Sequence, residues 1–590
     1  MEIKELRDIL QHTLLQHPRF HSRLFSGPGG VPAWVLMDAA DVDLEYHVVE
    51  EGAADVDSSQ CHVAGEEGGG GRGGGGKGEE EGRERGGEGE GALESHVVRL
   101  QSLPPFDPNR PLWQVHLIHL PAGSRPGEPR QPHSAAVFRI HHALGDGISL
   151  MSLLLAATRR TDNPDLLPSL PGSLGASARQ KIPPSSEPTA TPQHTSSASA
   201  SASSSAAALT SVATSGKSSS GRNSSSGSDE ASGKGKAVPE GVSRKRGSFQ
   251  KLLELLWVAL VRVVVAVWRM VRVAVNTTQQ ILEYLAVLVC IADTPTPIKG
   301  GPHLHSHALP RCFAVSPEMS LEDVSTIRMA VKGATVNDVM LTVISGGIER
   351  YLALVTAQQG GSSLPHHLRV SALALFNLRP APGLQELSEL MAGQRSQARW
   401  GNHLGNILLP LPIYSRAQGR SYRPSQQSDS EARNGESPRQ QSDSEARNGK
   451  GDARRREEVD RLRAVRALCA SRKDSLMAHW TYLNGRLLMP LVGCKPVAVL
   501  TRRSLDQTTL SLSNVVGPLE EVALHGHPIT AIIPSVVGSN HALTCHIQTY
   551  KGAALIVVSA VKQHVPNPHL LCRCFIEAFQ QLKDEAKTIV

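Results

Sequence analysis

Hydrophobic and polar residues alternate along the first part of the chain in patterns that predict a helix, two strands and a second helix. The apolar residues of positions 1–25 fall on one helical face: Ile3, Leu6, Ile9, Leu10 and Leu14. We therefore expect one amphipathic helix over residues 1–25. The runs PLWQVHLIHL at residues 111–120 and SAAVFRI at residues 134–140 alternate with a period of two, which predicts strands. The run GISLMSLLLAATRR at residues 147–160 predicts a helix.

The C-terminal half continues this interleaving of strands and helices. Residues 333–354 predict a helix that begins at Thr335, because Asp338 follows with the spacing of a capping box. Three further elements follow from the same patterns: a buried strand over residues 368–380, a hairpin over residues 545–560 that turns at Lys551-Gly552, and an amphipathic helix over residues 569–586. Such interleaving predicts the α/β class, or α+β, with mixed sheets.

The most apolar stretch of the chain runs from Leu252 to Ala292 and permits two interpretations. The charged residues around its first half fall on one narrow side of a helix: Lys251, Glu254, Arg262, Arg269 and Arg272. A broad apolar face beside a narrow basic stripe is typical of a helix that lies in a membrane interface. The second half, residues 281–292, is shorter than the roughly 20 residues needed to cross a bilayer. We predict a membrane-associated segment, and the alternative is a pair of core helices packed between domains.

Three polar tracts interrupt the predicted elements. Residues 65–91 contain only Gly, Glu, Arg and Lys, and residues 168–247 are mostly Ser, Ala, Pro, Gly and Lys. The third tract, residues 416–456, contains the decapeptide QQSDSEARNG twice. Such composition buries too little apolar surface to offset the entropy of the chain, so we expect disordered insertions.

Without these tracts roughly 440 residues remain, which suits two domains of about 200 residues each. The predicted boundaries are, in chain order, an N-terminal domain over residues 1–170 with an insertion at about 51–95, a disordered linker over 171–247, the membrane-associated segment over 248–300, and a C-terminal domain over 301–590 with an insertion at about 416–456.

Charge and cysteine content narrow the classes of function. The net charge is only +6 for 590 residues and aromatic residues are 4% of the chain, so we expect no platform for stacking nucleic-acid bases. The eight cysteines are scattered and include no CxxC pair, which predicts reduced thiols and a protein that faces the cytosol.

The segment FRIHHALGDGISL, residues 138–150, carries the candidate chemistry. His141 and His142 lie between the predicted strand and the predicted helix, where side chains project into a cleft, and Asp146 and Gly147 follow. A zinc-binding helix would need histidines four residues apart with a glutamate between them, and that pattern is absent, so no metal site is predicted. The chain also lacks a GxSxG nucleophile elbow and a GxxxxGK[ST] phosphate loop.

A histidine that acts alone as a general base remains. Its ordinary pKa near neutrality suits the removal of a proton from an alcohol. We expect Asp146, if an arginine holds it, to organise the turn. We expect Gly147 to permit tight backbone packing at the start of the helix.

Residues 141–147 form an HHxxxDG motif, which resembles that of the CoA-dependent acyltransferase superfamily, including chloramphenicol acetyltransferase, plant BAHD enzymes and the condensation domains of peptide synthetases. Four further segments are similar to signatures of one branch: PFDPNRPLW at 105–113, TVNDVML at 335–341, GNHLGNILLPLPI at 401–413 and LSNVVGP at 512–518. Together they resemble the plant-type bifunctional wax ester synthase/diacylglycerol acyltransferases.

The resemblance implies two chloramphenicol-acetyltransferase-like domains around a central tunnel, entered by acyl-CoA from one face and by the acceptor from the other. It implies that His142 deprotonates the hydroxyl of a long-chain alcohol or a diacylglycerol, which then attacks the thioester. Acyl-CoA is a substrate, and no cofactor is expected. His141, Asp146 and Gly147 would support His142, and the role of Asp146 would be structural.

The resemblance also implies a donor for the oxyanion, for which Ser513 and Asn514 are the candidates; the alternative is a role in the turn before Gly517-Pro518. Asn337 and Asp338 are expected to shape the tunnel wall or the contact between domains, or else to cap a helix. Trp113 is expected to serve packing rather than catalysis.

The chain begins at what resembles the first helix of the family, so we expect either that the sequence is truncated or that an earlier strand is dispensable. One rival interpretation is a BAHD-like transferase for soluble acceptors. Another is a non-catalytic membrane- or lipid-binding protein, if the short N-terminus is genuine. The expected location is the cytosolic face of the endoplasmic reticulum membrane, with the plasma membrane and lipid droplets as alternatives.

Overall fold

The structure is a computed structural model that describes residues 1–26, 32–51, 88–120, 133–168, 241–301, 309–361, 364–365, 367–379, 400–414, 456–538 and 541–589. Residues Met1–Ser177 and Arg269–Val590 form one compact unit, and Ala178–Trp268 form a second one. Most of the three predicted insertions lie outside the described residues. The predicted division into an N-terminal and a C-terminal domain and the central tunnel stay predictions.

The described α-helices are, in chain order, α1 (Ile3–His12), α2 (Leu44–His47), α3 (Glu88–Gln101), α4 (Gly147–Ala157), α5 (Gly241–Val289), α6 (Leu321–Met329), α7 (Val336–Gln358), α8 (Glu457–Lys473), α9 (Met477–Val492), α10 (Cys494–Gln507) and α11 (Pro568–Lys587). Short 3-10 helices cover Leu14–Gln16, Pro18–His21 and Ala39–Asp41.

The described strands are β1 (Ser22–Ser26), β2 (Pro32–Leu36), β3 (Val48–Glu51), β4 (Trp113–Leu120), β5 (His133–Ile140), β6 (Arg159–Arg160), β7 (Arg311–Val315), β8 (Met319–Ser320), β9 (Ser371–Asn377), β10 (Leu404–Pro410), β11 (Leu510–Val516), β12 (Val522–Leu524), β13 (His527–Pro528), β14 (Leu543–Tyr550) and β15 (Ala553–Val561).

These strands form mixed sheets, which confirms the predicted class. The largest sheet has the order β10-β9-β11-β14-β15-β7, with β8 paired to β15. Its strand β11 is parallel to both neighbours, β9 and β14, and the other pairs are antiparallel. A three-stranded sheet of the N-terminal half has the order β3-β4-β5. Strands β6 and β12 pair across the two halves of the chain.

The N-terminal half has its own hydrophobic core. Leu6 and Leu10 of α1 pack there with Val115 and Leu117 of β4, because alternate residues of a strand face the same side. Trp113 is completely buried in this core, and its indole Nε1 donates to the Phe20 carbonyl at 2.8 Å. Trp113 therefore serves packing, as predicted.

The C-terminal half has a second core between the largest sheet and helices α7 and α11. The contact between the two helices is close: a Cβ added at Gly347 would lie 2.2 Å from the Phe575 ring. Among the described helices, α7 is the one long and apolar enough to span a membrane by length and composition, but 78% of its apolar window is buried inside the protein. Helix α7 is thus the central helix of this core.

Several predicted elements are confirmed. Helix α7 begins after Thr335, and Thr335 and Asp338 form the predicted capping box. The hairpin of β14 and β15 turns at Lys551 and Gly552, both of which have positive φ values, of 48° and 76°. Strands β4, β5 and β9 and helix α11 also lie where the patterns predict them.

The prediction of one helix over residues 1–25 is wrong beyond His12. Thr13 leaves helical geometry, with φ −122° and ψ −76°, and Pro18 disfavours helical geometry at the residue before it. The chain then makes two 3-10 turns and enters β1. Helix α4 likewise ends at Ala157 rather than Arg160, because Arg159–Arg160 pair with β12.

The predicted insertion at about 51–95 is too long at both ends. Glu51 is buried at the end of β3, and helix α3 already begins at Glu88. The Glu51 carboxylate accepts a hydrogen bond from His116 Nδ1 at 2.7 Å, lies 3.2 Å from His96 Nδ1 and pairs with the Arg99 guanidinium. Arg99 compensates the buried charge, and these contacts tie α3 to the sheet. The predicted linker over 171–247 is also too long, because α5 begins at Gly241.

The apolar stretch from Leu252 to Ala292 belongs mainly to one continuous helix, α5, which has 49 residues. The side chains of residues 253–275 are exposed, except that of Val273, which is half-buried. The alternative of two core helices is therefore wrong for residues 253–275, whereas Gln280 and Val287 further along the same helix are buried. Residues 253–275 therefore form an exposed surface that is rich in apolar side chains.

Candidate active site

The histidine pair lies on a turn between β5 and α4. The backbone N–H of His141 donates to the Leu112 carbonyl at 3.0 Å, which fixes the end of the strand. His141 Nδ1 accepts from the Ala143 N–H at 3.2 Å, and its ring stands edge-on to Phe106 at 6.4 Å. Loss of solvent and the neighbouring His142 lower the pKa of His141. His141 is thus held by its own turn.

His142 is exposed, and the structure fixes its backbone. The Asn402 side-chain Nδ2 donates to the His142 carbonyl at 2.9 Å. Within the described ranges, no side-chain hydrogen bond or ion pair engages the His142 imidazole. The residue is therefore presented on a rigid turn with its imidazole available to a substrate.

Asp146 organises this turn from inside the protein. The residue is completely buried, and it is the N-cap of α4, because its Oδ1 accepts from the Ser149 N–H at 2.9 Å. Its Oδ2 accepts from Arg379 Nη1 at 2.8 Å and from the His403 N–H at 3.0 Å. Burial alone would raise the pKa of Asp146, but these hydrogen bonds and the charge of Arg379 lower it below its ordinary value. Asp146 is therefore an ionised structural anchor.

Arg379 is the arginine that holds Asp146, and the sequence patterns did not indicate which arginine this would be. Besides Asp146, its guanidinium donates to Ser149 Oγ at 3.0 Å, to Asn377 Oδ1 at 3.1 Å and to the Gly401 carbonyl. A planar guanidinium with several fixed donors suits such a junction better than a lysine. The signal was present in the sequence FNLRP, where the arginine directly follows strand β9.

The loop before β10, residues 400–403, holds the histidine turn from the C-terminal half. Trp400 Nε1 donates to the Leu144 carbonyl at 2.7 Å, and its ring contacts that of His17 at a centroid distance of 3.9 Å. Gly401 has a φ of +108°, a conformation that favours glycine. The segment GNHLGN, known above only as a family resemblance, therefore has a physical role: it clamps the turn that carries His142.

The expectation for Gly147 is wrong, and the tightly packed glycine is Gly145. A Cβ added at Gly147 would meet only Val515, at an ordinary contact of 3.8 Å. A Cβ added at Gly145 would lie 3.1 Å from Ser149 Cβ and 3.3 Å from the Trp400 ring. The close approach thus occurs inside the turn, under Trp400, and not at the start of the helix.

Asn337, Asp338 and Asn514 come together at the start of α7. Asp338 is buried and caps the helix: its Oδ2 accepts from the Thr335 N–H and hydroxyl, both at 2.8 Å. Asn514 Nδ2 donates to Asn337 Oδ1 at 3.0 Å, which links β11 to α7. Of the alternatives for Asp338, helix capping is the one that its geometry supports.

Ser513 faces the opposite side of the large sheet. Alternate residues of a strand point to opposite faces, so Ser513 shares its face with Val515. Val515 packs against Met151 and Leu155 of α4, the helix that follows the histidine turn. The adjacent residue on the parallel strand β14 is His546, which is buried; burial lowers its pKa to about 4. Ser513 therefore lies on the side of the sheet that α4 covers.

The described residues contain no group of three or more His, Cys, Asp or Glu side chains arranged to hold a metal ion. The seven described cysteines are free thiols, four of them buried. The chemistry that the site offers is that of an exposed histidine on a turn anchored by a buried Asp–Arg pair.

Comparison with known proteins identifies the family to which this chain belongs. Residues 84–250 match the family model of the wax ester synthase/diacylglycerol acyltransferase catalytic domain, and residues 453–583 match the model of the C-terminal domain of the same family. The chain is similar to wax ester synthase/diacylglycerol acyltransferase 5 of Arabidopsis thaliana, with 30% identity over 97% of this chain and 86% of the relative. It is also 29% identical to wax ester synthase/diacylglycerol acyltransferase 11 of the same plant, over 97% of this chain and 87% of the relative.

A solved structure with a similar arrangement is the wax ester synthase/diacylglycerol acyltransferase from Marinobacter aquaeolei VT8, with a TM-score of 0.46 and 14% identity over 99% of this chain and 90% of that one. Membership of the family follows from the sequence relatives and the matched family models, not from this likeness. The chain belongs to the wax ester synthase/diacylglycerol acyltransferase family and is an acyl-CoA-dependent O-acyltransferase.

Proposed function

We propose that this protein esterifies a long-chain alcohol, a diacylglycerol or both with an acyl group from acyl-CoA, and that His142 is the general base. The observation that carries the proposal is the exposed His142 on a turn whose backbone and neighbouring side chains are all fixed. A general base must be free to contact the proton that it removes, and its position must be maintained through the reaction.

In the proposed reaction, His142 takes the proton of the acceptor hydroxyl as the oxygen attacks the thioester carbonyl carbon. A tetrahedral intermediate forms, and its collapse breaks the carbon–sulfur bond. The histidinium then returns the proton to the departing thiolate, which leaves as CoA thiol. Protons and electrons balance without another reactant, so we propose that no metal or organic cofactor takes part.

The negative oxygen of the intermediate needs a hydrogen-bond donor. We propose Ser513 rather than Asn514, because Ser513 shares the strand face that packs against α4 through Val515. Asn514 lies on the other face and already donates to Asn337. His141 and Asp146 would then act as positioning residues for His142.

The test is an assay with a labelled long-chain acyl-CoA and two acceptors, hexadecanol and a diacylglycerol, each offered alone and then together. Ester formation with either acceptor, lost in the His142→Ala variant, supports the proposal. Folded protein that acylates only small water-soluble alcohols would contradict it and favour the rival with soluble acceptors. The ratio of the two products reports acceptor preference.

We further propose that α5 binds the cytosolic face of the endoplasmic reticulum membrane and brings the enzyme to its apolar acceptors. The side chains of Leu255, Trp257 and Trp268 are among many large apolar ones exposed on this helix. Such an exposed apolar surface on one helix, with arginines among the apolar residues, suits a helix that lies in a lipid interface. Arg262 and Arg269 would add attraction to anionic lipid.

The membrane proposal is tested by reversing the charge of Arg262 and Arg269 to Glu. Arg272 is left unchanged because it pairs with Asp474. The variant should sediment less with vesicles that contain phosphatidylserine, whereas the matched Arg262→Lys, Arg269→Lys variant should sediment like the original protein. Equal sedimentation of the Glu variant would contradict a role for these charges. Protease protection of microsomes would then report on which face the protein lies.

A further inference from the structure

Helices α9 and α10 follow each other with one intervening residue and form a hairpin whose exposed surface carries many apolar side chains. The chain turns between them at Gly493, which has a φ of +82°, three residues after Pro490. Large apolar side chains are exposed on both helices: Leu483, Leu487, Leu491, Val492, Val499 and Leu500. Leu483, Leu487 and Leu491 are four residues apart and so form one stripe along α9. Leu491, beside the turn, is 77% exposed.

The charges near the tip of this hairpin are all positive. Residues 475–505 contain Arg486, Lys495, Arg502 and Arg503 and no aspartate or glutamate. The acidic residue of the two helices, Asp506, lies in the last turn of α10, where its carboxylate is 4.0 Å from Arg502 Nε. Arg486 and Lys495 flank the apolar tip and are exposed. An apolar tip bordered by positive charge is complementary to a bilayer that contains anionic lipid.

The base of the hairpin packs against the last turns of α5, within the same compact unit. The Leu476 N–H donates to Thr277 Oγ1 at 2.9 Å, and Arg503 donates to the carbonyls of Leu288 and Val289 at the end of α5. Leu282 and Val289 of α5 are themselves exposed there. The apolar surface of the hairpin thus continues from that of the C-terminal part of α5, residues 269–289.

We propose that the α9–α10 hairpin is a second membrane-binding element, inserted into an anionic bilayer beside α5. A second copy of the chain fits this surface poorly, because two copies that meet at their tips would bring the positive charges of Arg486 and Lys495 together. The proposal deepens the membrane role proposed above and rests on it, but it does not depend on which residue is the general base.

The hairpin also connects the bilayer to the active site. Strand β10 lies tightly against α9: a Cβ added at Gly405 would be 2.0 Å from the Ala478 carbonyl oxygen. Tyr482 of α9 shares a hydrogen bond of 3.2 Å with His403 Nδ1, and the N–H of His403 donates to Asp146. Two hydrogen bonds therefore separate the proposed membrane-binding helix α9 from Asp146, the residue that anchors the turn of His142.

The direct test uses a cysteine that the hairpin already contains. Cys494 is exposed at the turn, whereas Cys469, Cys545, Cys572 and Cys574 are buried. Replacing the other three cysteines, Cys61, Cys290 and Cys312, by serine allows an environment-sensitive NBD group to be attached at Cys494. Vesicles of phosphatidylcholine and phosphatidylserine should shift its emission to shorter wavelength, and spin-labelled lipid tails should quench it. The same dye at Met329→Cys in a Cys494→Ser background, on the exposed end of α6, should remain unquenched.

A second variant tests the energetics. Leu487→Ser, Leu491→Ser and Val499→Ser together should weaken binding to these vesicles by at least about 100-fold. The matched control Leu36→Ser, Leu166→Ser and Met329→Ser changes three exposed apolar residues elsewhere and should bind like the original protein. Urea unfolding of both variants verifies that they remain folded.

The outcomes separate the two proposals. Protein that sediments with vesicles while the dye at Cys494 stays unquenched overturns the hairpin proposal and leaves the role of α5 intact. Protein that does not bind vesicles at all overturns both membrane proposals. A spectral shift that depends on protein concentration and needs no lipid identifies a second copy as the occupant and overturns the proposal. Normal quenching with no ester synthesis contradicts the enzymatic proposal alone.

Discussion

Arg379 Nη1 donates a hydrogen bond of 2.8 Å to Asp146 Oδ2, and the two side chains are 9% and 0% exposed. The pair joins residues 233 positions apart, one at the start of α4 and the other just after β9. It links the histidine turn to the C-terminal half.

Removing either partner should both lower the stability of the protein and disturb the geometry of the histidine turn. Arg379→Ala leaves the Asp146 carboxylate buried without a cation, so the free energy of unfolding should fall by about 3–5 kcal/mol. Arg379→Lys keeps the charge but cannot reproduce the fork of hydrogen bonds, and should lose less. Asp146→Asn should lower stability and rate in parallel. Urea unfolding combined with kcat measurements tests this; an Arg379→Ala protein of unchanged stability would contradict it.

Gly145 and Gly147 provide a matched pair within the same motif. Gly145→Ala places a methyl group against Ser149 and the Trp400 ring, at distances that demand a shift, so it should lose about 1–3 kcal/mol. Gly147→Ala has room and gains helix propensity at the start of α4, so its stability should stay within about 0.5 kcal/mol. Thermal unfolding of the two single variants gives the comparison. Equal effects would show that the clamp by Trp400 is not tight.

Ser513 and Asn514 form a second matched pair. If the Ser513 hydroxyl donates to the oxyanion, Ser513→Ala should lower kcat by about 10²–10³-fold with little change in KM. Asn514→Ala removes the link to Asn337 and should act mainly on stability. Steady-state kinetics and urea unfolding on both variants discriminate the roles. The opposite result, a rate loss confined to Asn514→Ala, would assign the oxyanion to the asparagine.

Sequence patterns predicted the local parts of the site well. The strand, the turn and the helix around His142 follow from periodicity, and the capping box of Thr335 and Asp338 follows from a spacing of three residues. Both depend on neighbours in the chain. The resemblance to a family indicated that segments such as GNHLGN are important. It gave no physical reason why they are.

The long-range parts of the site could not be predicted in this way. Trp400 and Asn402 hold carbonyls 256 and 260 residues earlier, and no local pattern encodes which carbonyl a side chain meets in the folded protein. The tight glycine was misplaced by two positions for the same reason, because its neighbour is the remote Trp400. The α9–α10 hairpin escaped notice because exposure, unlike periodicity, is a property of the whole fold.

Buried histidines should make the protein sensitive to mild acid. Burial lowers the pKa of His17, His116 and His546 to about 4 and that of His541 to about 3, against about 6.5 when unfolded. Between pH 6.5 and 4 the unfolded chain therefore binds more protons than the folded one, and the free energy of unfolding falls as pH falls. Each histidine contributes up to about 1.4 kcal/mol per pH unit in this window.

Urea unfolding at pH 7.5, 6.5, 5.5 and 4.5 measures this dependence. His546→Gln removes one of the four groups, so its stability should decline less steeply by about one proton. A stability that is constant from pH 6.5 to 5 would show that these histidines are not neutral and buried in solution.

The general base gives the last prediction. An alcohol has too high a pKa to attack a thioester unaided at neutral pH, and a general base typically contributes about 10²–10⁴-fold in rate. His142→Ala should therefore lose at least about 100-fold in kcat with either acceptor, a barrier increase of about 2.7 kcal/mol. Its stability should hardly change, because His142 is exposed and the Asn402 bond goes to its backbone carbonyl.

The control variant is His141→Ala. It should lose less of the rate, because the hydrogen bond that it removes is the one to the Ala143 N–H, which shapes the turn. A folded His142→Ala protein with near-normal ester synthesis would remove His142 from the mechanism. Activity that disappears with a chelator and returns with zinc would instead assign the chemistry to a metal.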